Sequence, residues 1–434
     1  MDWPTCRRTG PGRWIALIGW AAGAGLLAQA AAGGAPAPAP APAAATAAES
    51  PAAPAPAAAD GAVVAFARTP FARWGAETLA QIEKDLRLPG RNLYAEYTTP
   101  DGKRGGDYGD ASFVWPAGFQ LRALAAAAAV DPAAYRGALI RFADALDAYW
   151  KVRDGAGGYM VLPGDSERFY DDNAWIVLGL VETFHVTREP RFLKRAAETL
   201  AFVAGSERKT PGGGLRQQED KPGRTSVCTT APAAVGALRL YRATRDPRFL
   251  AMARRWYDWL TSKEVGVQGA DDGLFDDQAG YADGTWTIVR GKRAYNSALP
   301  MQAAVLLYQV EGDARHLAEA RRMAASALGR WFEPSGALRE TGQWGGSDLA
   351  DALLDLYLVD RDPRWLEAVR RMLDYLHTRG RDPAGRYGED WHVDRTGKPL
   401  AKIHLLYMAP AARAYWRAAG VAATISPSGP SGGP

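Results

Sequence analysis

The chain has 434 residues, a formal net charge of +4 and two cysteines. Cys6 lies in a terminal leader-like stretch, so Cys228 has no partner for an internal disulfide and no cysteine-based metal site is available. Charges of both signs are interspersed without a Lys/Arg-rich run, which argues against nucleic acid as a partner.

The first segment carries Arg7, Arg8 and Arg13 and then an apolar run over residues 14–32. A basic start followed by a hydrophobic stretch reads as an export signal, with Ala28-Gln29-Ala30 as a small-residue cleavage site. Its length also suits an uncleaved anchor, so residues 1–32 are read as a signal peptide or a membrane tether. Residues 33–60 are nearly all Ala, Pro and Gly, too poor in large apolar side chains to offset ordering entropy, and read as an extended linker. Residues 61–420 are read as one domain and 421–434 as an unstructured tail. The expected location is periplasmic or extracellular.

A repeat of about fifty to sixty residues organises the domain. VETFHVTREPRFLKRAAETLAFV (181–203), LRLYRATRDPRFLAMARRWYDWL (238–260) and LYLVDRDPRWLEAVRRMLDYL (356–376) share one plan, with looser copies at 126–146 and 306–328. Each has an apolar helix end, a short polar turn and a second helix. The turn is usually Asp-Pro or Glu-Pro, in which the acid suits the N-cap and Pro the first helical position. The second helix is amphipathic: Phe249, Ala253, Trp256, Tyr257 and Leu260 fall on one face. The first helix, as in AWIVLGLVETF (174–184) or LPMQAAVLLYQV (299–310), is apolar almost all round and must be buried on more than one side.

Such inner helices are expected to begin near residues 112, 171, 229, 296, 347 and 402. Outer ones are expected near 132, 190, 247, 315 and 363, with 71–86 supplying the sixth. Six alternating pairs predict an all-α (α/α)6 toroid, with an open helical array as the alternative. The long connections, near 152–169, 205–227, 264–294, 332–346 and 379–401, all lead into inner helices, so a ligand cleft is expected on that face.

At that face the motif FYDDNAW (169–175) opens the second inner helix. Asp171 and Asp172 have a capping reading, in which one is the N-cap and the other favours the helix dipole. They also have a chemical reading. Cleavage of a glycoside needs one ionised carboxylate and one that holds a proton, and adjacent acids at a helix start have a route to unequal protonation. Trp115, Trp344 and Trp391 are candidates to stack on sugar faces. Cys228 is read as a buried thiol.

The stretch resembles glycoside hydrolase family 76, the endo-α-1,6-mannanases, through Tyr170-Asp171-Asp172, GDYGDASFVWPAGFQLRAL, GGGLR (212–216), DDGLFDDQ (271–278) and WTIVRGKRAYNSA (286–298). The resemblance implies the (α/α)6 fold and a catalytic pair at Asp171 and Asp172, in an order the sequence leaves open. It further implies retaining hydrolysis within an α-mannan, without metal or cofactor. Tyr170, Asp277, Tyr295 and Asn296 join the tryptophans as expected substrate-binding residues, and the protein is expected to be a monomer. Three mouth segments depart from the family pattern: Leu215-Arg216-Gln217 stands where an aromatic and a Trp are usual, Ser297-Ala298 follows Tyr295-Asn296, and Gln343–Asp348 replaces a Phe-Lys-Gly signature. An N-acylglucosamine 2-epimerase, an unsaturated glucuronyl hydrolase and a non-catalytic carbohydrate-binding toroid are the rival readings. The epimerase would need histidines at the mouth, where only His392 and His404 are candidates.

Overall fold

In the computed structural model, the described residues are 56–425 apart from 107–109, 166, 210–211, 221–222 and 283, and the side chains of 56–59, 343 and 344 are also outside the description. The export signal or anchor, the linker up to residue 55 and the tail from 426 therefore lie outside the described residues.

Among the described residues, thirteen α-helices carry the fold. The inner ones are α3 (Val114–Val130), α5 (Tyr170–Thr187), α7 (Val227–Thr244), α9 (Ala294–Glu311), α11 (Ser347–Asp360) and α13 (Leu405–Ile425). Between them run the outer helices α2 (Phe71–Leu86), α4 (Pro132–Ala145), α6 (Pro190–Ala204), α8 (Pro247–Thr261), α10 (Ala314–Trp331) and α12 (Pro363–Thr378). Each inner helix packs on the next in sequence, and α13 packs back on α3 and α2. The ring is closed, which excludes the open array. The inner helices are buried nearly all round, whereas the outer helices bury one stripe, as Ala253, Trp256, Tyr257 and Leu260 do on α8.

Two boundaries differ from the sequence reading. α1 (Pro56–Arg68) takes in the last positions of the Ala/Pro stretch, because Phe66 inserts against Phe71 and is fully buried. At the other end α13 continues to Ile425, since Ala419, Val421 and Ala422 are buried against the ring.

The turns behave as the repeat predicts. Asp131, Asp246, Asp313 and Asp362 each accept a backbone N–H from the first turn of the following outer helix. Glu189 makes no such cap and pairs with Arg191 instead. The inner helices α5, α7 and α11 end on Arg188, Arg245 and Arg361 in left-handed conformation, and α9 ends on Gly312 in the same way.

The long connections are not bare loops. Trp150–Arg153 pairs with Ala156–Tyr159, Glu207–Lys209 with Gly212–Leu215, and Gln278–Ala282 with both Thr285–Val289 and Thr225–Ser226. These small antiparallel sheets rim the face where inner helices begin.

The ring axis is charged. Arg122 from α3, Glu182 from α5, Arg239 from α7, Gln302 from α9, Asp348, Asp351 and Asp355 from α11, and Arg413 and Arg417 from α13 form one network. Arg413 donates to Asp351 at 2.8 Å and to Glu182 at 2.7 and 2.9 Å, while Arg122 donates to Asp348 at 2.8 Å and Asp351 at 3.1 Å. Every inner helix thus contributes a polar group to the axis. The mutual pairing offsets desolvation that none of these charges could bear alone.

Candidate active site

The start of α5 is set by its neighbours rather than by its own cap. Phe169 occupies the N-cap position with no side-chain bond, so neither aspartate is the cap. Instead the Tyr170 N–H donates to the Gln217 carbonyl at 2.8 Å. Asn173, fully buried, donates to the carbonyls of Tyr159 and Phe169 and accepts the Tyr159 N–H at 2.7 Å. Asn173 was not singled out from sequence, although it stands inside the FYDDN motif.

On this platform the two carboxylates have unlike surroundings. Asp171 Oδ1 accepts the Asp172 N–H at 2.9 Å, and its Oδ2 accepts Gln217 Nε2 at 2.8 Å with the Cys228 thiol at 3.7 Å. Burial pushes the Asp171 carboxyl up to about 6, and these donors oppose the rise. Among the described residues no side chain hydrogen-bonds the Asp172 carboxylate. Burial and the adjacent Asp171 charge hold it well above the ordinary carboxylate range. One acid is therefore disposed to ionise and the other to keep its proton. Cys228 is buried as expected, and it also bonds Ser226 Oγ at 2.8 Å and lies against Asp171.

A third carboxylate lies beside Cys228 and Tyr295. Asp277 accepts Asn296 Nδ2 at 3.1 Å, and burial raises its pKa. Cys228 and Tyr295 each feel the charges of both Asp171 and Asp277, which draws α5, α7, α9 and the 262–293 connection into one site. Asp276, beside it, is taken up by Arg290 at 2.6 Å and the Gly291 N–H at 3.1 Å. The floor is aromatic: ring centroids run from Trp115 to Phe119 (5.9 Å), to Trp175 (5.4 Å) and to Tyr295 (6.3 Å). Beneath Trp175 lies Arg122, 5.4 Å from the ring and part of the axial network.

Not every expected residue reaches this space. Trp115 is half-buried at the mouth. Tyr170 is 5% exposed and stacks on Phe202 of α6, because one helical step from Asp171 turns it toward the outer ring. Asn296 is fully buried and bonds Asp277, so it orients that carboxylate from behind. Trp391, at 1% exposure, offers no free face: a Cβ on Gly342 or Gly346 would meet its indole at 2.6 or 2.7 Å. It supports the turn Gly342–Gly346, whose Gly345 has φ +133° and leaves no room for a Cβ beside the Tyr295 nitrogen. That turn carries Trp344, whose side chain is outside the description. Among the described residues no group of three His, Cys, Asp or Glu side chains is arranged to hold a metal ion, and no helix is long and apolar enough to cross a membrane.

The sequence model of glycosyl hydrolase family 76 matches residues 90–347. Among solved structures the chain is similar to a family 76 α-mannanase of Bacteroides thetaiotaomicron, at 28% identity over 83% of this chain and 98% of that one, with a TM-score of 0.75. It shares its fold with an α-1,6-mannanase of Salegentibacter, at 20% identity over 81% of this chain and 99% of that one, with a TM-score of 0.67. An inactive variant of the latter, with two adjacent aspartates replaced by asparagine, forms a complex with α-1,6-mannotriose. A curated relative, the meiotically up-regulated gene 191 protein of Schizosaccharomyces pombe, is 24% identical over 176 residues, 38% of this chain. The match spans 39% of that relative's length.

Proposed function

The chain belongs to glycosyl hydrolase family 76, a family of glycosidases, and we propose that it cleaves an α-linked mannan with retention of configuration, using Asp171 as nucleophile and Asp172 as general acid and base. One observation carries the assignment: two adjacent carboxylates at the mouth, one held by donors and the other without a partner among the described residues. The donor-held acid ionises first. Its Oδ2 is held by Gln217 and Cys228 and its Oδ1 by the Asp172 N–H alone, so Oδ1, with the fewer donors, is assigned as the attacking atom.

In the first step Asp171 Oδ1 bonds to the anomeric carbon as the glycosidic C–O bond breaks. The Asp172 proton passes to the leaving oxygen. In the second step the Asp172 carboxylate takes a proton from water, the water oxygen attacks the anomeric carbon, and the ester to Asp171 breaks. The half-buried Trp115 provides a sugar platform, and Asp277 accepts hydroxyls. The similarity to family 76 α-mannanases supports mannan as the glycan, and family membership favours hydrolysis over the epimerase reading. Residues 1–32 fit an enzyme that meets its polysaccharide outside the cytoplasm.

The test is reducing-end release from α-1,6-mannan by wild type, Asp171→Asn and Asp172→Asn, with melting temperatures measured alongside. Activity in wild type, loss in both variants and unchanged melting supports the proposal. Wild type inert on α-mannans, or both variants still active, overturns it.

A further inference from the structure

Gln217 and Gln278 lie in neither helix of the repeat, yet they form a chain that ends on Asp171. Gln278 Nε2 donates to Gln217 Oε1 at 3.2 Å, and Gln217 Nε2 donates to Asp171 Oδ2 at 2.8 Å. A carboxamide has a donor end and an acceptor end, and its network decides which faces a given neighbour. With Oε1 occupied by Gln278, Gln217 must turn Nε2 toward Asp171. That orientation suits a carboxylate and opposes a carboxylic acid, whose O–H would need an acceptor.

Both glutamines are held by backbone pairing. The Gln217 carbonyl accepts the Tyr170 N–H at 2.8 Å, which ties it to the start of α5. Gln278 pairs with Ser226 and with Val289 at the base of the hairpin Gln278–Val289. Among the described residues, the other groups that face Asp171 supply no charge of opposite sign. They are Asp172 on α5, Cys228 on α7 and Tyr295 on α9, and the last two also feel Asp277 from the connection before α9. Among the donors to Asp171 the Gln217 carboxamide is the strongest, ahead of the backbone N–H of Asp172 and the Cys228 thiol.

We propose that Gln278 is a positioning residue that acts through Gln217, holding its amide donor-forward so that Asp171 stays ionised and oriented for attack. The proposal rests on Asp171 as the nucleophile, and it gives the hairpin Gln278–Val289 a part in the chemistry without contact to substrate. The same donor-forward amide serves the ester intermediate, because an ester carbonyl oxygen also accepts. No reorientation is needed between the two steps.

The experiment reads the Asp171 carboxyl directly, by pH titration of 13C-aspartate-labelled full-length protein, with the signal identified by its absence in Asp171→Asn. Gln217→Leu is expected to raise the titration midpoint by roughly one to two pH units, the worth of one hydrogen bond to the charged form. Gln278→Leu is expected to raise it less, and to add nothing in a Gln217→Leu background. On α-1,6-mannan the acid limb of kcat follows the same order with KM little changed. An unshifted midpoint in Gln217→Leu or in Gln278→Leu overturns the proposal, and so does an additive double variant. Methionine at either position repeats the test where leucine disturbs melting. If the midpoints move as expected but wild type cleaves no mannan, the functional reading fails and the positioning holds.

Discussion

Replacing Asp172 by Asn tests the division of labour between the carboxylates, because the swap keeps shape and removes only the titration. The first ionisation of the pair belongs to Asp171, at about 6, and the second to Asp172, opposed by the charge already present. For wild type, kcat/KM should fall tenfold per unit below that value, so that pH 4 lies roughly 100-fold under the plateau. In Asp172→Asn the acid limb should stay near 6, since Asp172 is still protonated when Asp171 titrates. The alkaline limb should vanish. Loss of the general acid should cost about 10²–10⁴-fold on mannan, but far less on an aryl α-mannoside whose leaving group needs no proton. Stopped assays from pH 4 to 9 on both substrates give the measurement. An acid limb displaced by a unit or more in Asp172→Asn would refute the order of ionisation. Rescue of Asp171→Asn by the aryl substrate would reverse the roles.

Glu182→Ala should leave Arg413 and Arg239 without a shared acceptor, at a cost of about 3–5 kcal/mol; for about 370 ordered residues that corresponds to a fall in Tm of roughly 4–6 °C. The arginines depress the Glu182 pKa, so its stabilisation is complete above the unfolded value near ~4.3 and is lost only as pH falls through the folded one; the deficit should be constant from about pH 5 to 8 in calorimetry. Gly345→Ala places a Cβ 2.2 Å from the Tyr295 nitrogen at φ +133°, and should displace the Trp344 turn, destabilise by about 1–3 kcal/mol and lower mannan cleavage, with unchanged Tm and activity counting against it. Asp362→Ala removes the cap of α12 and should cost about 1 kcal/mol in urea unfolding while activity is untouched.

The repeat was legible because its signals are local. An Asp-Pro turn marks a helix start by itself, and the amphipathic stripe of α8 lies within fifteen residues. The axial network was not, because its partners are remote: Arg122 meets Asp348 and Arg413 meets Glu182 across more than two hundred positions. The usable signal was a polar residue roughly two to three turns inside five of the six apolar helices, at Arg122, Glu182, Arg239, Gln302 and Arg413. The site was half visible. Asp171, Asp172 and Asp277 carry charge and draw notice, whereas Gln217 stood out only as a departure from an aromatic pattern. Trp391 misled, since a tryptophan near a cleft motif looks like a platform until Gly342 and Gly346 are seen against its indole.

The same network bears on the chemistry at the mouth. Helix α5 holds Asp171 and Asp172 in its first turn and Glu182 about 16 Å further along its axis. Desolvation acts on all three in the same direction. At Glu182 three arginines outweigh it and the carboxylate is ionised far below the usual range. At the mouth no cation among the described residues opposes it, and both aspartates rise. The indole of Trp175 lies over Arg122 and next to the aromatic floor, a low-polarity layer between the two levels. If a guanidinium stood beside Asp172, that acid would ionise at neutral pH and have no proton to give. Charge compensation is thus concentrated where the ring needs stability and withheld where the proposed reaction needs a carboxylic acid, and one helix carries both conditions.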